Sequence, residues 1–310
     1  MKKDSKIFVA GHKGMVGSAI VRELRKQGYT NIIVRNSKEL NLCRQVNVEN
    51  FFKEEKPEYV FLCAAKVGGI MANNTQPADF MYNNMMIEMN VIHSAWQNEC
   101  KKLLFLGSSC IYPKLSPQPI KEKYLLTSEL EKTNEAYALA KISGLKYCEY
   151  LNKQYNTNFI SVMPTNLYGP NDNYHPEHSH VLPALIRKFH EAKKNNLDTV
   201  VCWGDGTPFR EFLYVDDLAN LCVFLMNNYS ENETINAGTG IEITIKELSE
   251  LVAKIVGFNG SIKWDSTKPN GTPRKLLDVS KLEKIGWYHT INLEEGIKLA
   301  YNDFLNKIKE

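Results

Sequence analysis

Residues 6–10, Lys6-Ile7-Phe8-Val9-Ala10, make a short apolar run that stops at Gly11-His12-Lys13-Gly14-Met15-Val16-Gly17, and residues 18–24 then follow the spacing of an amphipathic helix. This succession constrains the chain more than any other stretch. A buried strand has to enter a sheet, and a glycine turn leading straight into a helix leaves unblocked backbone N–H groups and a positive helix end at the strand's tip. Such a turn suits the pyrophosphate of a dinucleotide, with contacts expected from Gly11, His12, Lys13, Gly14, Met15, Val16 and Gly17. The spacing is GxxGxxG rather than GxGxxG, and glycines alone would equally make a plain tight turn. The strand before them and the helix after them favour dinucleotide binding.

A second apolar run over 30–34 leads into Arg35-Asn36-Ser37-Lys38. A site for NAD usually presents an acidic side chain here to the ribose 2′-hydroxyl. No carboxylate occurs until Glu39, and Arg35 and Lys38 offer cations to a 2′-phosphate, which points to NADP(H); a solvated basic turn is the competing reading. Runs at 59–65, 102–106 and 159–163 read as further buried strands, with helical stretches at 78–98 and around Tyr137 between them. That alternation implies an α/β fold with a Rossmann-type doubly wound parallel sheet, its ligands gathered at the C-terminal strand ends. From about residue 171 the pattern is punctuated by proline and histidine. The expected organisation is an NADP-binding Rossmann domain over 1–170 with a return segment at about 211–238, and a smaller discontinuous α/β substrate-binding domain over 171–210 and 239–310.

A chain of 310 residues buries enough surface to need neither disulfides nor a structural metal. A net charge of +3 is too small to argue for nucleic acid, and with no long apolar span or signal-peptide core, neither membrane insertion nor secretion is expected. The seven cysteines, Cys43, Cys63, Cys100, Cys110, Cys148, Cys202 and Cys222, include no CxxC pair and read as free thiols of a cytoplasmic protein, most of them core fillers. His175, His178 and His180 crowd one segment, but their spacing matches no ordinary zinc motif, so no metal is expected and His175 and His178 read as loop histidines.

Of the tyrosines, only Tyr137 has a lysine four residues later, Lys141, within a run of helix formers at 134–141. On a helix the two share a face, and the ammonium should favour phenolate, drawing the phenol down from about pH 10. An ordinary surface pair would look the same. Ser108, just past the strand at 102–106, can reach the same crevice. Ser108, Tyr137 and Lys141 would then surround a carbonyl oxygen that gains negative charge as hydride arrives at its carbon.

GxxGxxG, a strand-end serine and YxxxK together resemble the extended short-chain dehydrogenase/reductase family, whose members act mainly on nucleotide-sugars. Ala65-Lys66-Val67-Gly68-Gly69-Ile70, Gly107-Ser108-Ser109-Cys110-Ile111-Tyr112-Pro113, Pro164-Thr165-Asn166-Leu167-Tyr168-Gly169-Pro170 and Gly271-Thr272-Pro273-Arg274-Lys275 refine the match. Along essentially the whole chain they resemble the branch that epimerises GDP-4-keto-6-deoxy-D-mannose at C3 and C5 and reduces it at C4 with NADPH. The resemblance implies that Cys110 and His180 supply the acid and base of epimerisation, where a thiol near pKa 8.5 and an imidazole near 6.5 suit neutral pH. It also implies cofactor contacts at Leu40, Asn41, Leu106, Gly107, Lys141, Pro164, Thr165, Asn166, Leu167 and His180, besides Arg35, Asn36, Ser37 and Lys38. Lys188, Trp203, Arg210 and Asn270 are the implied substrate contacts; a core tryptophan and a structural Arg210–Glu211 pair are the competing reading. A reductase or epimerase of a GDP-4-keto-heptose would use the same catalytic set.

Residues 79–96 carry Phe80, Met81, Met85, Met86, Ile87, Met89, Val91 and Ile92, and the Tyr137 segment continues through Ile142, Leu145, Tyr147, Tyr150 and Leu151. That is more apolar circumference than one sheet face covers. A homodimer through a four-helix bundle is expected, an arrangement also common in the resembling family.

Overall fold

The computed structural model describes residues 1–176, 179–268 and 270–308. The chain opens with β1 (Ile7–Ala10), α1 (Met15–Lys26), β2 (Ile32–Ile33), α2 (Gln45–Glu55), β3 (Tyr59–Leu62), α3 (Ile70–Thr75), α4 (Pro77–Gln97) and β4 (Lys102–Leu106). It continues through α5 (Glu135–Tyr155), β5 (Phe159–Pro164), β6 (Asn166–Tyr168), α6 (Val181–Lys194), β7 (Thr199–Trp203), β8 (Phe209–Tyr214) and α7 (Val215–Asn228). The remainder is β9 (Ile235–Ala237), β10 (Glu242–Thr244), α8 (Ile245–Val256), β11 (Ser261–Asp265), β12 (Arg274–Lys275), α9 (Ser280–Lys284) and α10 (Leu293–Lys307).

Six strands form an all-parallel sheet in the order β2-β1-β3-β4-β5-β9. Apolar residues set its register, Phe8 lying level with Ile33 and Val60, and Leu62 with Phe105. Parallel strands are bridged by helices on both faces, so they read as unbroken apolar runs. Every residue of β1 and β4 is buried accordingly. On one face α1 and α7 pack together over Ile20, Leu24, Leu218 and Leu221; on the other, α2, α4 and α5 cover Phe52, Val91, Ile92 and Leu145. The order reverses between β1 and β3, which opens a crevice at their C-terminal ends.

A second sheet runs β10-β8-β12 with β6 beside β8, while β7 and β11 pair separately. With α6, α8 and α10 these strands enclose a third core around Phe189, Phe212, Leu248, Val252 and Phe304. Residues 211–238 are shared between the two parts: β8 belongs to the second sheet, α7 packs on α1, and β9 joins β5. The second strand, expected over 30–34, shortens to Ile32–Ile33, an edge strand that meets only β1. The third, expected to reach residue 65, ends at Leu62, where its continuation passes under the glycine turn. Lys102 is buried in β4 yet satisfied: its ammonium donates to the carbonyls of Leu225, Met226 and Tyr229 at the end of α7, and burial lowers its pKa to about 8. Among the described residues no helix is long and apolar enough to cross a membrane.

The β1–α1 turn is closed by Gly14 N–H on Gly11 O at 3.0 Å, with Gly11 at φ +88°. A Cβ on Gly17 would stand 2.2 Å from Gly11 O, and backbone cannot step aside as a side chain can. Gly17→Ala should therefore cost about 1–3 kcal/mol in chemical denaturation and weaken dinucleotide binding. Gly28, whose added Cβ meets nothing, is the control: Gly28→Ala should cost only the left-handed backbone strain, about 1–2 kcal/mol, and leave binding unchanged.

Candidate active site

A crevice of about 1940 Å³ runs along the C-terminal strand ends and on between the two sheets. Drug-sized ligands occupy about 300–1,000 Å³, so this space suits two nucleotide-sized molecules end to end. Every site residue named from the sequence lines it, from the turn at Gly11 to Gly17 through Arg35 to Lys38, Leu40, Asn41, Leu106 to Ser108, Cys110, Tyr137, Lys141 and Pro164 to Leu167, out to His180, Lys188, Trp203, Arg210 and Asn270.

At the turn, His12 Nδ1 is buried without a hydrogen-bond partner, a polar atom facing a space a ligand would fill. Arg35 is less free than its place after β2 implied. Its guanidinium pairs with Glu55 at 2.6 Å and donates to Val34 O at 2.9 Å, whereas the Lys38 side chain is exposed. Thr165 and Asn166 anchor β5 and β6 to β8 by donating to Glu211 O at 3.2 and 2.8 Å.

Tyr137 and Lys141 share one face of α5, the ammonium 5.9 Å from the phenol ring centroid. Lys141 donates to Leu106 O at 2.9 Å, lies 4.8 Å from the Phe105 ring centroid, and pairs at 3.0 Å with Glu88 of α4, both side chains almost wholly buried. Burial corrects the expectation of a lowered phenol pKa. Burial pushes Tyr137 well above its ordinary range, with Cys110 and Glu88 adding to the rise and Ser108 opposing it. Tyr137 therefore stands as a phenol with a proton to donate. Ser108 Oγ accepts from Cys110 N–H at 3.3 Å, and its hydroxyl lies within hydrogen-bonding reach of the Tyr137 phenol.

Cys110 lies in a single helical turn, Ser109–Ile111, directly after β4, and His180 caps the N-terminus of α6 across the crevice. Their pKa values do not sit near neutrality as their ordinary values would. Burial raises the Cys110 thiol, against the pull of Lys275, Ser108 and Lys141; the protein around His180 disfavours its imidazolium although the ring is solvent-exposed, and Lys275 adds to that. At rest the pair is thiol and neutral imidazole.

Farther out, Trp203 is 56% exposed, an open aromatic wall rather than a core residue. Arg210 donates to Phe209 O at 2.7 Å and pairs with no carboxylate among the described residues. Glu211, its neighbour, is fully buried and instead accepts from the N–H groups of Thr239, Gly240 and Leu277 at 2.7, 2.8 and 2.9 Å. Lys188 reaches Val201 O at 2.8 Å, and Asn270 Oδ1 accepts from Asp205 N–H at 3.0 Å, which ties Asn270 to the loop between β7 and β8. His178 lies outside the described residues, and among those described no cluster of metal-binding side chains occurs.

Residues 7–238 match the NAD dependent epimerase/dehydratase family. GDP-L-fucose synthase 1 of Arabidopsis thaliana is 60% identical over 306 residues, covering 99% of this chain and 95% of its own. The chain belongs to this family, in its GDP-L-fucose synthase group. Among solved structures, a GDP-L-fucose synthetase from Naegleria fowleri bound to NADP aligns with TM-score 0.92 at 27% identity, over 100% of this chain and 96% of that one. A GDP-6-OMe-4-keto-L-xylo-heptose reductase from C. jejuni aligns with TM-score 0.93 at 40% identity, over 99% of each chain.

Two charged residues, one buried behind the crevice wall and one lining it, escaped the sequence reading as functional groups. Glu88 sits among the methionines of α4, where a charge in an apolar helix was the available signal. Lys275 closes the last motif quoted above, and β12 sets it level with Arg210 on β8. Its ammonium has no hydrogen-bonding or ion-pair partner among the described residues, and it is the strongest opposing influence on Cys110. Removing that cation should make the thiolate harder to form. In Lys275→Met, the pH midpoint for alkylation of Cys110 by iodoacetamide, followed by peptide mass spectrometry, should rise by about one unit; an unchanged midpoint would mean the lysine does not act on the thiol.

Proposed function

We propose that the protein converts GDP-4-keto-6-deoxy-D-mannose to GDP-L-fucose by epimerisation at C3 and C5 followed by NADPH-dependent reduction at C4. One observation carries the reading: Ser108, Cys110, Tyr137, Lys141 and His180 line one crevice beside a glycine turn, in a member of the GDP-L-fucose synthase group. The turn, the orphan His12 Nδ1 and the cations Arg35 and Lys38 fit a dinucleotide with a 2′-phosphate, and Asn36, Ser37, Leu40 and Asn41 complete that end. NADP(H), when bound, supplies the hydride for C4. We assign residues 1–170 and about 211–238 to its binding, and 171–210 with 239–310 to the GDP-sugar.

A C4 ketone acidifies the hydrogens on C3 and C5, because the carbanion spreads onto the ketone oxygen. Cys110 and His180 serve as base and acid on opposite sides of the sugar ring. Since both rest neutral, the acting pair forms when the Cys110 proton passes to the His180 imidazole, which leaves a thiolate as base and an imidazolium as acid; Lys275 favours the thiolate. Ser108 and Tyr137 hydrogen-bond the C4 oxygen, stabilising first the enolate and later the alkoxide, to which Tyr137 gives its proton. Arg210, with no carboxylate partner among the described residues, and Lys188 suit the diphosphate, and Trp203 offers a face for the base; Asn270, its side-chain oxygen taken by Asp205 N–H, is an edge contact.

The likeness to the C. jejuni heptose reductase favours a second reading, a GDP-4-keto-heptose as substrate. NMR of the product made from GDP-4-keto-6-deoxy-D-mannose and NADPH decides between them. Conversion to the L-fucose configuration supports the proposal, and preference for the heptose replaces it. Tyr137→Phe should slow NADPH oxidation by about two to four decades. Cys110→Ser should stop solvent deuterium exchange at C3 and C5, a hydroxyl being too weak a base; full-rate exchange would make Cys110 a packing residue.

We also infer a cytoplasmic homodimer, on the free cysteines and on the surface of α4 and α5, where Met81, Tyr82, Leu139, Tyr150 and Tyr155 are exposed. Light scattering at micromolar concentration should give twice the 35.4 kDa chain mass; a monomer that persists on concentrating removes the bundle.

A further inference from the structure

Glu88 has no surface exposure, and neither carboxylate oxygen accepts a hydrogen bond of ordinary geometry. Its one close partner is Lys141 Nζ, 3.0 Å from Oε1. The space it occupies is left by Gly144 of α5, one helical turn beyond Lys141, where a Cβ would stand 2.7 Å from Glu88 Oε2 and equally close to the Phe105 ring. A buried carboxylate so poorly satisfied is costly to keep. Here it is aimed at the cation that would otherwise draw the Tyr137 phenol toward phenolate.

We propose that Glu88 is a positioning residue for the reduction: its carboxylate fixes the Lys141 ammonium against β4 and cancels its charge, so that Tyr137 meets the substrate as a phenol with a proton to give. This rests on the reduction proposed above. The groups around the phenol come from three elements, Ser108 and Cys110 after β4, Lys141 on α5, and Glu88 on α4. Those around Glu88 are Lys141, Tyr137 and Cys148, and Lys141 also faces Cys63 and Cys110. Lys141 is thus the positive member of the group, and Glu88 is the buried acid that balances it. The ammonium is held between Leu106 O at 2.9 Å and Glu88 Oε1 at 3.0 Å, on the wall of the crevice.

The test follows hydride transfer from NADPH and its 4-deuterated form to GDP-4-keto-6-deoxy-D-mannose, from neutral pH to about pH 10. In the wild type the isotope-sensitive rate should persist to the top of that range. In E88Q the uncompensated ammonium favours phenolate, so the alkaline loss of that rate should move down by about one pH unit or more. A rate lowered uniformly, with the pH dependence unmoved, would reduce Glu88 to a structural residue and overturn the proposal. Should E88Q not fold, K141M decides, because a carboxyl group left alone can neutralise itself by taking a proton. K141M should show an infrared carboxylic-acid carbonyl band that is missing from wild type and from E88Q/K141M; its absence from K141M would overturn the pairing. The infrared arm needs no substrate, so a wild type inactive on this sugar would reject the proposed function and leave the pairing to be judged separately.

Discussion

An all-parallel sheet permits no tight hairpins, so each connection must climb over a face and return to the same edge. Everything chemical in this protein follows from that constraint. The ends of β1, β4 and β5 face one crevice, and the residues just beyond them, Gly11 to Gly17, Gly107 to Cys110 and Thr165 to Leu167, meet there although far apart in sequence. Because α4 and α5 lie side by side on one face, the crossover between β4 and β5 lays Tyr137 and Lys141 beside the same edge. The second sheet then has only to close the far side.

The electrostatics of the crevice are set by burial first and by partners second. Loss of water pushes Tyr137 and Cys110 toward their neutral forms; it pushes Glu88 the same way, but there the Lys141 ammonium opposes it and favours the carboxylate. Against that background two lysines act differently. Lys141 is answered by a carboxylate at 3.0 Å, so its field beyond the pair is small; Lys275 is not answered, so its field reaches both Cys110 and His180. Separating a quenched cation from an unquenched one lets adjoining groups keep a phenol as proton donor and bring a thiol nearer to ionisation.

What could be read from sequence was what neighbouring residues encode together. The apolar runs of β1, β3, β4 and β5, the glycine turn and the Tyr137–Lys141 spacing are local patterns, and all appear in the fold, β3 stopping three residues short of its expected end. Apart from β8, the strands of the second sheet number two or three residues, too short for periodicity to declare them. Glu88 and Lys141 are 53 positions apart, Glu211 and Leu277 are 66, and no local pattern links them. The pKa values were misjudged for the same reason: a lysine four residues away is visible, while burial and a carboxylate on another helix are not. Arg35 shows this on a smaller scale, because Glu55, which holds it, lies at the far end of α2.

Glu211 has a mechanical consequence. Its carboxylate takes the N–H groups of Thr239, Gly240 and Leu277, and its carbonyl takes the side chains of Thr165 and Asn166. Gly238 has to be glycine for the carboxylate to fit, since a Cβ would stand 2.2 Å from Oε1. One residue thus rivets the exit of the six-stranded sheet to β8 and to the strap that carries Lys275. Sliding the two sheets past each other would break these contacts together. Glu211 therefore locks the seam between the two sheets, and Thr165 and Asn166, which line the crevice, take their places from that lock.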